Sequence, residues 1–361
     1  MKIVDLPFEQ YYLPGKPVLP LKAVCELLVG GEVRRACISD QCDAMQILFE
    51  QGNGVEHIAA TLNIAVIDFS APFRLQPVHI PKPWGQEIWF TGIEARGVSQ
   101  VISETGTTPL SWVIALDRQR ILGAHKQPNL LKILDPLPDE VFGDLYFELH
   151  EKKREVYIVT HIDRHAWPDG VGAIRYGFSS EKLKEFADEA VFLVAYRDAV
   201  RHYQSVRREL DKLMDELRER DGVELLAPVA AAQTQRWLEE LPRGLRVQEE
   251  SLRERMESFT ALRKLRVGDV LAVPLRTPHA LQHGVRTVEF QTPVYERKIL
   301  SFAQKVLTQD HWDTDEALEL AQLQTPEDVA FPVLQDSDGV KIEQIVQFDD
   351  FTVQRIYLAA S

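Results

Sequence analysis

Gly143-Asp-Leu-Tyr-Phe-Glu-Leu-His-Glu-Lys-Lys-Arg-Glu155 places two glutamates and a histidine at strand spacing. Side chains alternate across a strand, so Glu148 and His150 face the same way. A tight turn over Glu151 to Arg154 then returns the chain as a hairpin, with Glu155 on the next strand. Far along the chain, Gly268-Asp-Val-Leu-Ala-Val-Pro-Leu-Arg-Thr-Pro-His279 reads as a Gly-Asp turn, an apolar strand Val270 to Val273, and a Thr277-Pro278 corner ending on His279. Two carboxylates and two imidazoles suffice for one divalent metal.

The order Gly, Glu-x-His, x4, Glu, followed by Gly-x5-Pro and His, resembles the two metal-binding motifs of the cupin superfamily, with Glu148 where many cupins carry a first His. Lys82-Pro-Trp-Gly-Gln-Glu-Ile-Trp-Phe90, Leu130-Leu-Lys-Ile-Leu-Asp135, Lys153-Arg-Glu155, Thr277-Pro-His-Ala280 with Gly284-Val285, and Val288-Glu289 ending at Arg297 resemble, in the same order, the type I phosphomannose isomerases. The likeness runs over about residues 80 to 160 and 265 to 302. It implies a zinc site on Glu148, His150, Glu155 and His279, a catalytic Lys153, a substrate-binding Lys132, and an active-site Arg297 that also binds substrate. Four departures stand out. Glu148 replaces the family's Gln, and Glu151 replaces a Pro. The loop before the ligand Glu has shrunk to four residues. The family's Asp before its Arg has no counterpart, although Glu296 adjoins Arg297 as a candidate catalytic helper.

The fold expected is mainly β with a helical insertion: a cupin, or jelly-roll, barrel whose second copy is absent or truncated. Residues 1–72 form a mixed N-terminal segment, a lid or an oligomer contact, with helices Leu21 to Leu28 and Asp40 to Gln51 and a strand Ile64 to Phe69. Residues 73–178 supply the first part of the barrel, through strands Gln86 to Thr91, Val98 to Ser103, Trp112 to Leu116, Leu145 to His150 and Val156 to Thr160. Residues 179–265 are the helical insertion. Ser179-Ser180-Glu181 opens a helix running to Asp221-Gly222, and Trp237 to Leu241 and Val247 to Leu262 continue helically around a Pro242-Arg-Gly244 break. Residues 266–311 complete the barrel. Residues 312–361 add a helix Thr314 to Leu323 and strands Ile342 to Gln347 and Phe351 to Ala359.

Composition sets milder limits. With 361 residues, 45% hydrophobic, 20 Pro and 19 Gly, the chain can bury a core and make many turns. A formal charge of −14 argues against a nucleic-acid partner, because phosphate binding needs a basic surface. A pocket holding Lys132, Lys153, Arg297 and a metal would still accept a sugar phosphate. Cys25, Cys37 and Cys42 show no regular pairing, which points to free thiols in a reducing, cytoplasmic setting. No stretch approaches the roughly 18 apolar residues of a membrane span. A homodimer is compatible with all of this.

Each proposed role competes with a plainer one. Glu148 and His150 could be the polar face of an exposed strand, and four ligand types in cupin order outweigh that reading. Trp84 either stacks on a sugar or sits in the core. His283 is a candidate further ligand or substrate contact, against the plainer reading of a surface-turn residue. Lys132, on an apolar strand, needs a carboxylate or a site, since an unpaired buried ammonium is costly.

The activity implied is aldose–ketose interconversion by a mannose-6-phosphate isomerase-like intramolecular oxidoreductase. In it zinc, or Fe, Mn or Ni, polarises the substrate oxygens, while Lys153, with a lowered pKa, shuttles the proton and Arg297 and Lys132 hold the phosphate. The alternative is a catalytically inactive metal-bearing cupin that binds a sugar or sugar phosphate. Non-haem iron oxygen chemistry also suits two His with carboxylates.

Overall fold

In the computed structural model, residues 1–6, 20–94, 96–125, 127–225, 227, 229–327 and 330–359 are described. Residues 7–19 of the expected N-terminal segment therefore lie outside the described residues. The chain divides into two compact units, Met1–Ile80 with Ile88–Lys132, and Pro81–Glu87 with Ile133–Ser361.

The first unit is built on an antiparallel sheet in the order Lys2–Leu6, Leu21–Leu27, Val33–Ser39, Val66–Asp68. Leu21–Leu27, read from sequence as a helix, is a central strand. Ala23 and Cys25 face one core and Val24 faces the other, so both sides are apolar and the run loses its alternation. The helices Cys42–Glu50 and Val55–Leu62 cover the Val24 side through Met45, Val55 and Ile58. The opposite error occurs at Trp112 to Leu116, expected as a strand. It lies in the helix Leu110–Leu116, whose Leu110, Val113 and Ile114 enter the other core at helical spacing. Cys25 and Cys37 are buried free thiols, pushed up to about 11 and about 12 by that burial.

The second unit is a sandwich of two sheets. One has the order Val270–Val273, Glu155–Ile162, Val285–Gln291, continued by the parts of Leu130–Pro136, Gly85–Trp89 and Val78–Lys82 that belong to this unit. The other runs Thr260–Leu265, Gly172–Phe178, His279–Leu281, Phe147–Leu149, Lys298–Ser301. Tyr157, Val159, Leu271 and Val285 from the first sheet meet Ile174, Tyr176, Leu281 and Ile299 from the second in one core. Among the described residues the sheets remain open, and no closed barrel forms.

Different layers cover the two outer faces. Phe147, Leu149, Ala280 and Leu300 pack beneath the 32-residue helix Glu189–Arg220, against Phe192, Tyr196 and Tyr203. Val156 and Val270 pack against Ile345, Val346, Phe351 and Val353 of a C-terminal sheet, Val333–Ser337, Val340–Gln347, Thr352–Leu358. No complete second sandwich follows among the described residues.

The helical insertion departs from the sequence reading in two places. Its first helix is split into Ser180–Leu183 and Glu189–Arg220, because Asp188 caps a new helix by accepting a hydrogen bond from Val191 N–H. The helix expected to reach Leu262 ends at Glu257, and Thr260–Leu265 pairs as an edge strand with Gly172–Phe178.

The backbone at Gly143 passes so close to the Leu137 carbonyl and His283 Cβ that a methyl group there would collide with both. Gly143→Ala is expected to lower stability by about 2 to 3 kcal/mol, the upper part of the overpacking range, because a carbonyl cannot swing aside as a side chain can. Urea unfolding midpoints of the two proteins check this.

Candidate metal centre

Alternation in the two sheets builds the site. Phe147 and Leu149 point outward to the helices, so Glu148 points inward, and the same logic turns His279 inward when Ala280 turns out. Glu148 and His279 are directly paired on neighbouring strands. On the opposite sheet Val156 faces outward, leaving Glu155 and Tyr157 inward. The expected hairpin is absent: Phe147–Leu149 and Glu155–Ile162 belong to different sheets, and residues 151–154 cross from one to the other. This crossing places ligands from the two sheets face to face.

Glu296 fixes the crossing. Its carboxylate accepts backbone N–H groups from Glu151 at 3.0 Å, Lys152 at 3.0 Å and Lys153 at 3.3 Å. Burial opposes its ionisation, but these hydrogen bonds win and hold it below the usual carboxylate range. The three N–H groups make Glu296 the anchor of this crossing. Its own carbonyl accepts His150 Nδ1–H at 2.9 Å.

His150, Glu155 and His279 are buried, with their candidate ligand atoms all within 4.8 Å of one another. His279 Nδ1–H donates to the Thr277 carbonyl at 3.0 Å, as His150 does to Glu296. Carbonyl oxygens only accept, so both rings carry the proton on Nδ1 and turn the Nε2 lone pair inward. Those lone pairs meet Glu155, His150 Nε2 at 3.4 Å from Oε1 and His279 Nε2 at 3.1 Å from Oε2. Acceptors facing acceptors need a shared cation or proton. Lys153 Nζ lies 2.6 Å from Glu155 Oε1, and the Tyr157 hydroxyl donates to Oε2 at 2.9 Å. Tyr157 has one proton, so it cannot also satisfy His279 Nε2 at 3.3 Å. Among the described residues, His150 Nε2 and Glu148 Oε2 are buried without a hydrogen-bond partner. This donor set of two imidazoles and one or two carboxylates fits a divalent metal.

The electrostatics agree. Burial works against a charged Glu155, yet the Lys153 ammonium outweighs it and holds the carboxyl well below its usual range. Burial, aided by Lys153, lowers the His150 value and keeps the ring neutral. Burial, and then the charge of Glu155, pushes the Tyr157 phenol well above its ordinary value.

The other expected residues divide. Glu148 stands at the edge of the cluster, with Oε1 3.7 Å from His150 Nε2 and Oε2 3.7 Å from Arg297 Nη1. Arg297 is further held by Thr308 at 2.6 Å and by the face of Tyr146. Trp84 is not a stacking platform. It is 1% exposed and part of the sandwich core. Lys132 is buried in Leu130–Pro136, within the first unit. His283 is not a surface-turn residue: it is buried, bonded through Nδ1 to Asp144 at 2.8 Å and stacked on Trp167.

Sequence reasoning missed Tyr157 and the inner face of Val285–Gln291. Thr287, Glu289 and Gln291 are all buried, opposite Val159, Tyr157 and Glu155. The signal was available. Polar residues at every second position of a strand with apolar neighbours give a polar inner wall.

Metal-stripped protein should lose stability on acidification. The folded values of His150 and Glu155 are both depressed from 6.5 and 4.5, so the unfolded chain takes up more protons as pH falls through each ordinary value. Urea unfolding at pH 7, 6, 5 and 4 is expected to show a decline in two stages. Glu155→Gln should shrink the lower stage and cost about 3 kcal/mol at pH 7 by leaving the buried Lys153 without its counter-ion.

No family model matches this chain, and no curated protein matches it. Among solved structures, mannose 6-phosphate isomerase from Bacillus subtilis shares its fold, with a TM-score of 0.51 and 15% identity over 80% of each chain. A zinc-bound mannose 6-phosphate isomerase aligns with a TM-score of 0.47 and 12% identity over 78% of this chain and 82% of that one. A mutant phosphomannose isomerase from Salmonella typhimurium aligns at 0.45 and 14%, with the same coverage. At these identities the likeness is one of fold.

Proposed function

We propose that this chain is a metal-dependent sugar-phosphate isomerase, interconverting mannose 6-phosphate and fructose 6-phosphate or a closely related aldose–ketose pair. One observation carries the reading: inward lone pairs of His150 and His279 converge on buried Glu155, beside the Lys153 ammonium. The sequence motifs and the shared fold support the substrate class and a cupin-type jelly roll for the sandwich. Zinc is the ion proposed, and Fe, Mn or Ni suit the same ligands.

A divalent ion held by His150, Glu155 and His279, with Glu148 as the fourth ligand, would polarise the hydroxyl and carbonyl oxygens of the sugar. The chain's own groups do the rest. Lys153 holds a proton at Nζ where it can pass to or from the C1–C2 unit, and the two sheets exclude water from that exchange. Arg297, anchored by Thr308 and Tyr146, turns its guanidinium toward the site edge, where it can pair with phosphate in place of Glu148. Glu296 orients His150 and the 151–154 crossing.

A second reading, a metal-bearing sandwich that binds a sugar phosphate without converting it, draws on one observation. Lys153 and Arg297 are each already paired with a carboxylate of the cluster. Zinc-loaded protein incubated with mannose 6-phosphate separates the two. Isomerisation is expected, with kcat falling about a hundredfold or more in Lys153→Ala, the lower end of general acid–base contributions. Binding without fructose 6-phosphate, unaffected by Lys153→Ala, would favour the second reading.

A further inference from the structure

Away from the metal centre, the helical layer encloses a cavity of about 260 Å³ bounded by the helices Glu189–Arg220, Ala231–Glu240 and Arg243–Glu257 and by the segments 141–142 and 303–307. Its lining is in part apolar, with Phe142, Leu210, Met214 and Leu238, and in part charged, with five cations beside Asp211, Glu249 and Glu250. Most of these charges serve the fold. Arg207 pairs with Asp211 and donates to the Ala303 carbonyl, Arg218 donates to the Glu224 and Ala227 carbonyls, and Lys305 pairs with Asp215.

Arg246 is different. Among the described residues no ion pair or hydrogen bond engages its side chain, its Nε is buried, and Glu250 one turn on makes no ion pair with it. Seven residues along the same helix, the buried Arg253 Nε lies 3.3 Å from Glu249 Oε1, an ion pair outside hydrogen-bond geometry. Glu249 already accepts the Tyr203 hydroxyl at 2.8 Å. Buried guanidinium N–H groups without acceptors are costly, and a void beside apolar side chains forfeits their contacts. One occupant removes both costs.

We propose that this cavity binds a small organic oxyanion, a phosphate ester or carboxylate with a compact apolar body. Its head takes the N–H groups of Arg246 and Arg253, and its body fills the space beside Met214 and Leu238. A guanidinium fork matches either head group. The site is separate from the metal centre and stands whether or not the chain isomerises sugars.

Calorimetric titration of metal-stripped protein with phenyl phosphate, phenylacetate and inorganic phosphate tests this. At least one aromatic anion should bind with one-to-one stoichiometry and at least tenfold more tightly than inorganic phosphate. Arg246→Gln should weaken that binding at least tenfold, and Met214→Phe, which fills the cavity, should weaken it while sparing Arg246. Circular dichroism verifies that both variants fold. His279→Ala should leave binding unchanged. The proposal is overturned if neither aromatic anion binds below about 10 mM, a threshold of roughly −2.7 kcal/mol. It is equally overturned if binding survives both cavity variants or disappears in His279→Ala.

Discussion

The second unit depends on one buried carboxylate. Glu155 is contacted by the Lys153 ammonium, the Tyr157 hydroxyl and the Nε2 atoms of two histidines, and it is 2% exposed. Such a group is expensive to take out of water, and deleting one partner strands the rest. The cluster also joins the two sheets, since Glu155 and Tyr157 belong to one while His279 belongs to the other. A cation at this point would turn opposed lone pairs into a link between the sheets.

Both sheets supply inward ligands because their outer faces have separate covers. The helical layer takes Phe147, Leu149 and Ala280, and the C-terminal sheet takes Val156 and Val270. With the alternate positions committed to apolar packing, Glu148, His279, Glu155 and Tyr157 have one direction left. The apolar covers thus fix the register of the site, because a slip of one residue would exchange every ligand for a core side chain. Positioning continues outside the ligand set, in the three N–H groups gathered by Glu296 and the carbonyl of Thr277 behind His279.

The ligand spacing was legible in sequence because a strand's period of two is strict, and the Gly268 to Val273 turn and strand followed the same rule. Less legible was which strands pair. The four residues between Glu151 and Arg154 have hairpin length, and only the tertiary arrangement shows that they cross between sheets. Leu21–Leu27 and Leu110–Leu116 exchanged identities because short apolar runs buried on several sides carry little periodicity. Trp84 stayed open between stacking and core, and His283 was misplaced, for a different reason: exposure depends on what packs over a residue, and its immediate neighbours do not encode that. Tyr157 and Glu289 were within reach of the alternation argument that located Glu155.

The central claim is that two distant segments share one buried metal, and metal stoichiometry tests it directly. Protein purified, loaded with zinc and freed of excess ion should carry one equivalent per chain by elemental analysis, and His279→Ala, folded by circular dichroism, less than a tenth of that. A folded wild type that retains no metal, or a His279→Ala protein that keeps a full equivalent, would contradict the account.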